Sequence, residues 1–178
     1  DSWLVGWFYQ DEALFAIFRF GAKELPLVTA MTGAFSAALL PEIATDLEPA
    51  MAMIKAKSIK LFHLLFPLSA LLLLTSHWWF PWVFNPSFLP SAAIFNVYLL
   101  VLISRMIFTH TILIGLQQTQ IVLYISVLEV TLNVLLSFWW VHIWGMVGIA
   151  LATAVAFTFE KVATMIYLYR WRQIRPHQ

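Results

Sequence analysis

The amino-acid sequence predicts an all-α, polytopic membrane helix bundle. Of its 178 residues, 62% are hydrophobic and 11% are charged, whereas soluble domains carry charge on about a quarter of their residues. Between residues 61 and 169 the formally charged side chains are limited to Arg105, Glu129, Glu160 and Lys161. The apolar runs are long and continuous, which is typical of membrane helices and not of the alternating strands of outer-membrane barrels.

The polar and proline-rich joints divide the chain into about five predicted transmembrane helices within a single transmembrane domain, 1–178. The predicted spans are 13–40, 61–80, 92–114, 121–140 and 145–169. Each reaches the length of about 20 residues that a helix needs to cross hydrocarbon. The apolar segment 1–9 is too short to cross, and we interpret it as the tail of a helix that begins upstream. Because most joints are short, consecutive helices are expected to be antiparallel neighbours.

Basic residues predict the orientation of the bundle, since Lys and Arg accumulate in cytoplasmic loops. One side of the predicted bundle holds Lys55, Lys57, Lys60, Arg170, Arg172 and Arg175. The loops of the opposite side contain no Lys or Arg and carry Asp1, Asp11 and Glu12, together with most of the tryptophans. The C-terminus is therefore predicted to be cytoplasmic.

Arg105 and Glu129 are predicted to meet inside the membrane. Each lies twelve residues from Gln117, so on two antiparallel helices they share one depth, near the bilayer midplane. They are either an ion pair that pins one hairpin or part of a substrate or ion path. Asn133 follows Glu129 on the same helix face, which predicts a polar stripe directed at protein or at a water-filled cavity.

Arg19 and Lys23 lie four residues apart and therefore share one helix face, where like charges repel unless an anion lies between them. Glu24 is about 140° around the helix from Arg19 and neutralises it poorly. The two cations either pair with acidic residues elsewhere or form an anion site such as a diphosphate needs. Pro26 predicts a kink beside them.

Small residues recur at four-residue spacing and predict helix faces that are buried between helices. They are Ala30, Ala34 and Ala38 in the first span, and Gly148, Ala152 and Ala156 in the last. Glu160 continues the second of these faces and should point into the bundle, as a proton or cation site or as a satisfied helix contact. Lys161 is about 100° away and is expected to anchor in headgroups.

The sequence contains no motif that predicts catalysis. We find no G-x-S-x-G, H-E-x-x-H, P-loop or G-x-G-x-x-G pattern, no cysteine, and no cluster of the five histidines. No enzyme activity, metal or cofactor is therefore predicted. The net charge of +1 predicts no nucleic-acid partner.

Four segments resemble a known family. They are DSWLVG at 1–6, FRFGAKELP at 18–26, EVTLNVLL at 129–136 and GMVGIALAT at 145–153. They are similar to the C-terminal half of polysaccharide flippases, the Wzx-type members of the multidrug, oligosaccharidyl-lipid and polysaccharide exporter superfamily. The likeness extends over nearly the whole chain, although the last segment occurs across many branches of the superfamily.

The resemblance implies that the chain is most of one lobe of a two-lobed transporter of the bacterial cytoplasmic membrane. Such a transporter flips a polyprenyl-diphosphate-linked oligosaccharide by alternating access, with membrane lipid and an N-terminal lobe of the same protein as its further partners. The residues assigned to the substrate are then Arg19, Lys23, Glu24 and Arg105. The alternatives are a cation-coupled multidrug exporter of the same superfamily and a noncatalytic membrane anchor or sensor module.

Overall fold

A computed structural model describes residues 1–23 and 25–174 of the chain. In this part of the chain all regular secondary structure is helical, which confirms the predicted all-α class. The helices are α1 (Ser2–Tyr9), α2 (Glu12–Gly21), α3 (Pro26–Thr45), α4 (Leu47–Val83), α5 (Leu89–Arg105), α6 (Thr109–Gly115), α7 (Thr119–Trp144) and α8 (Met146–Ile174), with a 3₁₀ turn at Pro86–Phe88 before α5.

Four of the described helices are long and apolar enough to cross a membrane. The candidate spans are Val28–Thr45, Leu47–Val83, Thr119–Trp144 and Met146–Arg170. Their outward surfaces are apolar: α7, for example, exposes Leu123, Val127, Val130 and Leu135. A surface of this composition is favourable in contact with lipid and unfavourable in contact with water. The chain is thus built as a multi-pass helix bundle.

The first predicted span, 13–40, is two helices and not one kinked helix. α2 ends at Gly21, and α3 begins at Pro26 after Leu25 takes an extended conformation (ψ 116°). Proline at the first helical position lacks only an N–H that has no partner there, and it disfavours helix in the residue before it. Pro26 therefore starts a new helix, and α2 and α3 pack against different neighbours.

The predicted joint at 41–60 is almost entirely helical, so the prediction of a loop there is wrong. α3 runs on to Thr45 through Pro41, and α4 begins at Leu47. The carboxylate of Asp46 accepts a hydrogen bond from Glu48 N at 3.1 Å and caps α4. α4 then continues for 37 residues to Val83, about 55 Å at roughly 1.5 Å per residue.

The predicted span 92–114 is also divided, because α5 ends at Arg105 and α6 begins at Thr109. The last two spans correspond to α7 and α8, which are joined at Gly145 alone. Gly145 has φ +58° and ψ −140°, a conformation that glycine adopts without the steric penalty of a Cβ. The turn brings α7 and α8 into extensive contact.

The bundle is arranged around α5, which packs against α2, α4 and α8. Its buried residues Ile94 and Val97 share a core with Phe18 of α2 and with Ile149 and Ala150 of α8. This core lies near the end of the bundle where α4 leads into α5 and α7 leads into α8. We call it the Trp-rich end, because α4 and α7 end there with Trp78, Trp79, Trp82, Trp139, Trp140 and Trp144. The opposite, Lys-rich end holds the α3–α4 turn and the α6–α7 connection.

One of the two predicted small-residue faces is buried and the other is not. Gly148, Ala152 and Ala156 are fully buried against α7 and α5, as predicted. Ala30, Ala34 and Ala38 are exposed in the described chain, so the prediction that they are covered within this bundle is wrong.

Candidate functional site

The polar residues of α7 lie on one face of that helix. Glu129, Asn133 and Ser137 follow one another at four-residue spacing, and Ser137 Oγ donates to Asn133 Oδ1 at 3.0 Å. Ser137 is fully buried and the other two are half-buried, whereas the opposite face of α7 is apolar and exposed. The predicted polar stripe is therefore present and directed at the other helices of the chain.

Arg105 and Glu129 line the same cavity, in agreement with the shared depth that their equal spacing from Gln117 predicts, and the ion pair between them stays a prediction. The cavity has a volume of about 250 Å³ and lies between α5, α6, α7 and α8. We call it the charged cavity, and its lining residues are Arg105, His110, Ser126, Glu129, Phe157, Glu160 and Lys161. The guanidinium carbon of Arg105 lies 5.0 Å from the centre of the Phe157 ring, which is a favourable cation–π distance.

Glu160 is the most deeply buried ion of the charged cavity, with a relative exposure of 5%. Its Oε2 lies 3.0 Å from Nζ of Lys161 on the same helix, and its Oε1 lies 2.9 Å from Nδ1 of His110 on α6. A carboxylate only accepts hydrogen bonds, so Nδ1 of His110 is the donor in this contact. Glu160 thus points into the bundle as predicted and ties α6 to α8.

Lys161 does not reach for headgroups, and the anchor prediction is wrong. Its side chain is 14% exposed and is held at Glu160, because a buried carboxylate without a partner is strongly destabilising. Lys161 also lines a second hollow of about 280 Å³ between α3, α6 and α8. We call this second space the hydroxyl hollow, because Thr29, Thr32, Ser36 and Thr111 line it with Arg105, His110 and Lys161.

Arg19 and Lys23 lie at the Trp-rich end, and both are exposed. They line one open hollow of about 390 Å³ together with Phe15 and Phe20 of α2. Lys23 also lines a narrow cleft between α3 and α5 whose other end is Arg105. Three of the predicted substrate residues, Arg19, Lys23 and Arg105, therefore line two adjoining spaces that share Lys23. The fourth, Glu24, lies outside the described residues.

Asp1 forms a polar cluster with three other helices, although the residue itself is exposed. Its Oδ2 accepts hydrogen bonds from Tyr98 Oη at 2.6 Å and from Thr153 Oγ1 at 2.7 Å. Its Oδ1 accepts from Asn133 Nδ2 at 3.2 Å. The three donors come from α5, α7 and α8, so one carboxylate connects three helices.

Sequence reasoning missed His110 and Asp1 for different reasons. His110 lies in an apolar run without ligand spacing, and its partner Glu160 is fifty residues away. The distribution of basic residues places Asp1 on the outer side of the bundle. That distribution carries no information on which side chains Asp1 contacts. Among the described residues, no group of three or more His, Cys, Asp and Glu is placed to hold a metal ion.

Comparisons with protein-family models, with curated proteins and with solved structures give no match to this chain.

Proposed function

We propose that the chain forms most of one lobe of a two-lobed transporter that flips a polyprenyl-diphosphate-linked oligosaccharide across the bacterial cytoplasmic membrane by alternating access. The observation that supports it is a series of basic side chains along one face of a bundle with an apolar exterior. The series runs from Arg19 and Lys23 through the narrow cleft to Arg105, and then to Lys161 in the charged cavity.

Diphosphate chemistry accounts for this series. A diphosphate group carries more than one negative charge and cannot enter hydrocarbon without cations or dipoles to replace its hydration. Arginine binds phosphoryl oxygens through a two-donor fork, and lysine supplies a compact charge. Glu129 and Glu160 keep the charge of the cavity low while no ligand is bound, which makes buried cations tolerable.

Alternating access requires a second surface that closes over the site. The hollows of this bundle are open on one side, and the face of Ala30, Ala34 and Ala38 on α3 is exposed. Small residues permit close approach of another helix. The proposal assigns that surface to the other lobe of the same protein.

A cation-coupled multidrug exporter is the second candidate, and one observation favours it: Glu129 lines the charged cavity and is half-buried. A carboxylate in a membrane cavity attracts cationic substrates. An anchor or sensor without a transport path instead requires Arg105 and Glu129 to be packed together without open space, and the cavity of about 250 Å³ speaks against it.

Complementation of a flippase-deficient bacterial strain by the complete parent protein tests the proposal. Arg19→Ala and Lys23→Ala should each reduce glycan export by about tenfold or more at unchanged membrane levels, since each removes a charge-assisted contact to the diphosphate. Lys55→Ala, which removes an exposed lysine at the Lys-rich end, should export normally. Normal export in both the Arg19→Ala and the Lys23→Ala variants would show that these residues do not form an anion site.

A further inference from the structure

The hydroxyl hollow has the lining of a site for a phosphoryl anion. Arg105, His110 and Lys161 face it from α5, α6 and α8, and hydroxyl side chains face it from α3 and α6. No carboxylate is among the described residues that line it. The hollow is therefore basic on three sides, although the charged cavity beside it contains two glutamates.

Glu160 holds two of these basic groups at the boundary between the two spaces. Its two carboxylate oxygens are engaged by Lys161 Nζ at 3.0 Å and by His110 Nδ1 at 2.9 Å. An ammonium group has three donors, and an imidazole has a second nitrogen on the far side of its ring. The carboxylate thus holds both groups in place, and both also line the hollow, each with hydrogen-bonding capacity beyond its contact to Glu160.

The hydroxyl groups complete a donor set that suits tetrahedral phosphoryl oxygens. Thr111 Oγ1 donates to Ser36 Oγ at 3.0 Å, which leaves the proton of the Ser36 hydroxyl to be directed at a ligand. The volume of about 280 Å³ accommodates a diphosphate. Thr111, which lines the hollow, lies one helical turn before the end of α6 at Gly115, on the side of the α6–α7 connection.

We propose that the hydroxyl hollow is a binding site for a phosphoryl anion, in which Lys161, His110 and Ser36 bind the oxygens and Glu160 is a positioning residue. The inference rests on the proposed transport function, for which this hollow is the first of two anion sites. A diphosphate enters here from the Lys-rich side and reaches Arg19 and Lys23 by way of Arg105. Neither His110 nor Lys161 is assigned to substrate by the sequence.

Binding of inorganic diphosphate to the purified parent protein, measured by calorimetry in phosphatidylcholine nanodiscs, tests the site. Lys161→Met should weaken binding by about tenfold or more, because it removes a charge-assisted hydrogen bond. Ser36→Ala should weaken binding by a smaller factor. Lys55→Met is the matched control, because it removes a lysine exposed outside the hollow, and it should bind as the wild type does.

Lys161→Met removes the ammonium group beside the buried Glu160 and can destabilise the fold, so Lys161→Arg and the double variant Glu160→Gln/Lys161→Met accompany it. The first should retain binding, and the second should lose it while remaining folded. Equal affinity for diphosphate in the wild type, Lys161→Met and the double variant would overturn the proposal.

Two further arms separate the source of the phosphoryl group and the fate of the transport proposal. If phosphatidylglycerol in the nanodisc competes with diphosphate, the same site also takes lipid headgroups, and if it does not, the site takes the diphosphate of a substrate. Both results support a phosphoryl site. Loss of diphosphate binding in Lys161→Met with glycan export absent even from the wild type would keep this site and remove the flippase. Normal diphosphate binding in Lys161→Met, with glycan export intact in the wild type, would remove this site and keep the flippase.

Discussion

At the scale of single residues, the bundle uses its few ions to connect helices. Asp1 is bonded to α5, α7 and α8, and Glu160 bridges α6 and α8. The sequence predicts the direction of Glu160 because helical spacing places it on a small-residue face. It does not predict Asp1, since its partners Tyr98 and Thr153 are distant in sequence and ordinary in composition. Contacts of this kind depend on the packing of the whole bundle.

The Asp1 cluster predicts that Thr153 stabilises the bundle through its hydroxyl. Thr153→Val removes the bond of 2.7 Å from the buried Thr153 hydroxyl to the exposed carboxylate of Asp1. We expect a loss of about 1 kcal/mol in the free energy of unfolding, because a hydrogen bond contributes about 0.5–1.5 kcal/mol net and water can solvate the exposed carboxylate in its place. Denaturant unfolding of the parent protein in detergent measures this loss.

Thr158→Val is the matched control on the same helix. Its hydroxyl is exposed and bonds only to the carbonyl of Ala154, among the contacts described. We expect a change within about 0.5 kcal/mol, as for most exposed substitutions. Equal effects of the two substitutions would show that Asp1 does not stabilise the bundle.

At the scale of helices, local sequence explains some boundaries and not others. Pro26 begins α3 and Gly145 separates α7 from α8, and both follow from backbone sterics. The break between α5 and α6 contains neither proline nor glycine. There Thr109 Oγ1 lies 2.7 Å from Thr164 Oγ1, and the next two residues bond to α8 and α3. These hydrogen bonds to other helices take the place of the helical hydrogen bonds lost at the break. They cannot be predicted from the sequence of this segment alone.

The contact between α7 and α8 predicts a strong requirement for glycine at position 148. A Cβ added to Gly148 would lie 2.3 Å from the carbonyl oxygen of Trp140, so the helices would have to separate. We expect Gly148→Ala to cost about 1–3 kcal/mol of stability, as overpacking usually does. Thermal unfolding of the parent protein in detergent is the measurement.

Gly33 of α3 provides the opposite case. A Cβ there would meet no atom within 4 Å, and alanine is favoured over glycine in helices by up to about 1 kcal/mol. Gly33→Ala should therefore leave the melting temperature unchanged or raise it. A lower melting temperature for Gly33→Ala than for Gly148→Ala would contradict the helix packing described above.

At the scale of the whole molecule, the composition predicts the class of protein, and the polar side chains define the face of the bundle that lines its cavities. The near absence of charge from residues 61 to 169 predicts a membrane bundle, and the helix lengths agree. The division of the outer surface into an apolar face and a polar face also follows from helical periodicity. Which polar groups share a cavity does not follow from periodicity, since it depends on how α5, α7 and α8 cross.

We expect the polar face of this bundle to border water and its apolar face to border lipid. The chain contains no cysteine, so single cysteines can be placed in it, in a parent protein whose cysteines elsewhere have been replaced, and labelled in membranes with a water-soluble thiol reagent. Ser126→Cys in the charged cavity and Thr32→Cys in the hydroxyl hollow should react, because the reactive thiolate forms only in a hydrated site. Val127→Cys and Val130→Cys on the exposed apolar face of α7 should not react. Equal reactivity of the cysteines on both faces would contradict this expectation. So would unreactive cysteines in the cavity and the hollow together with reactive cysteines on the apolar face of α7.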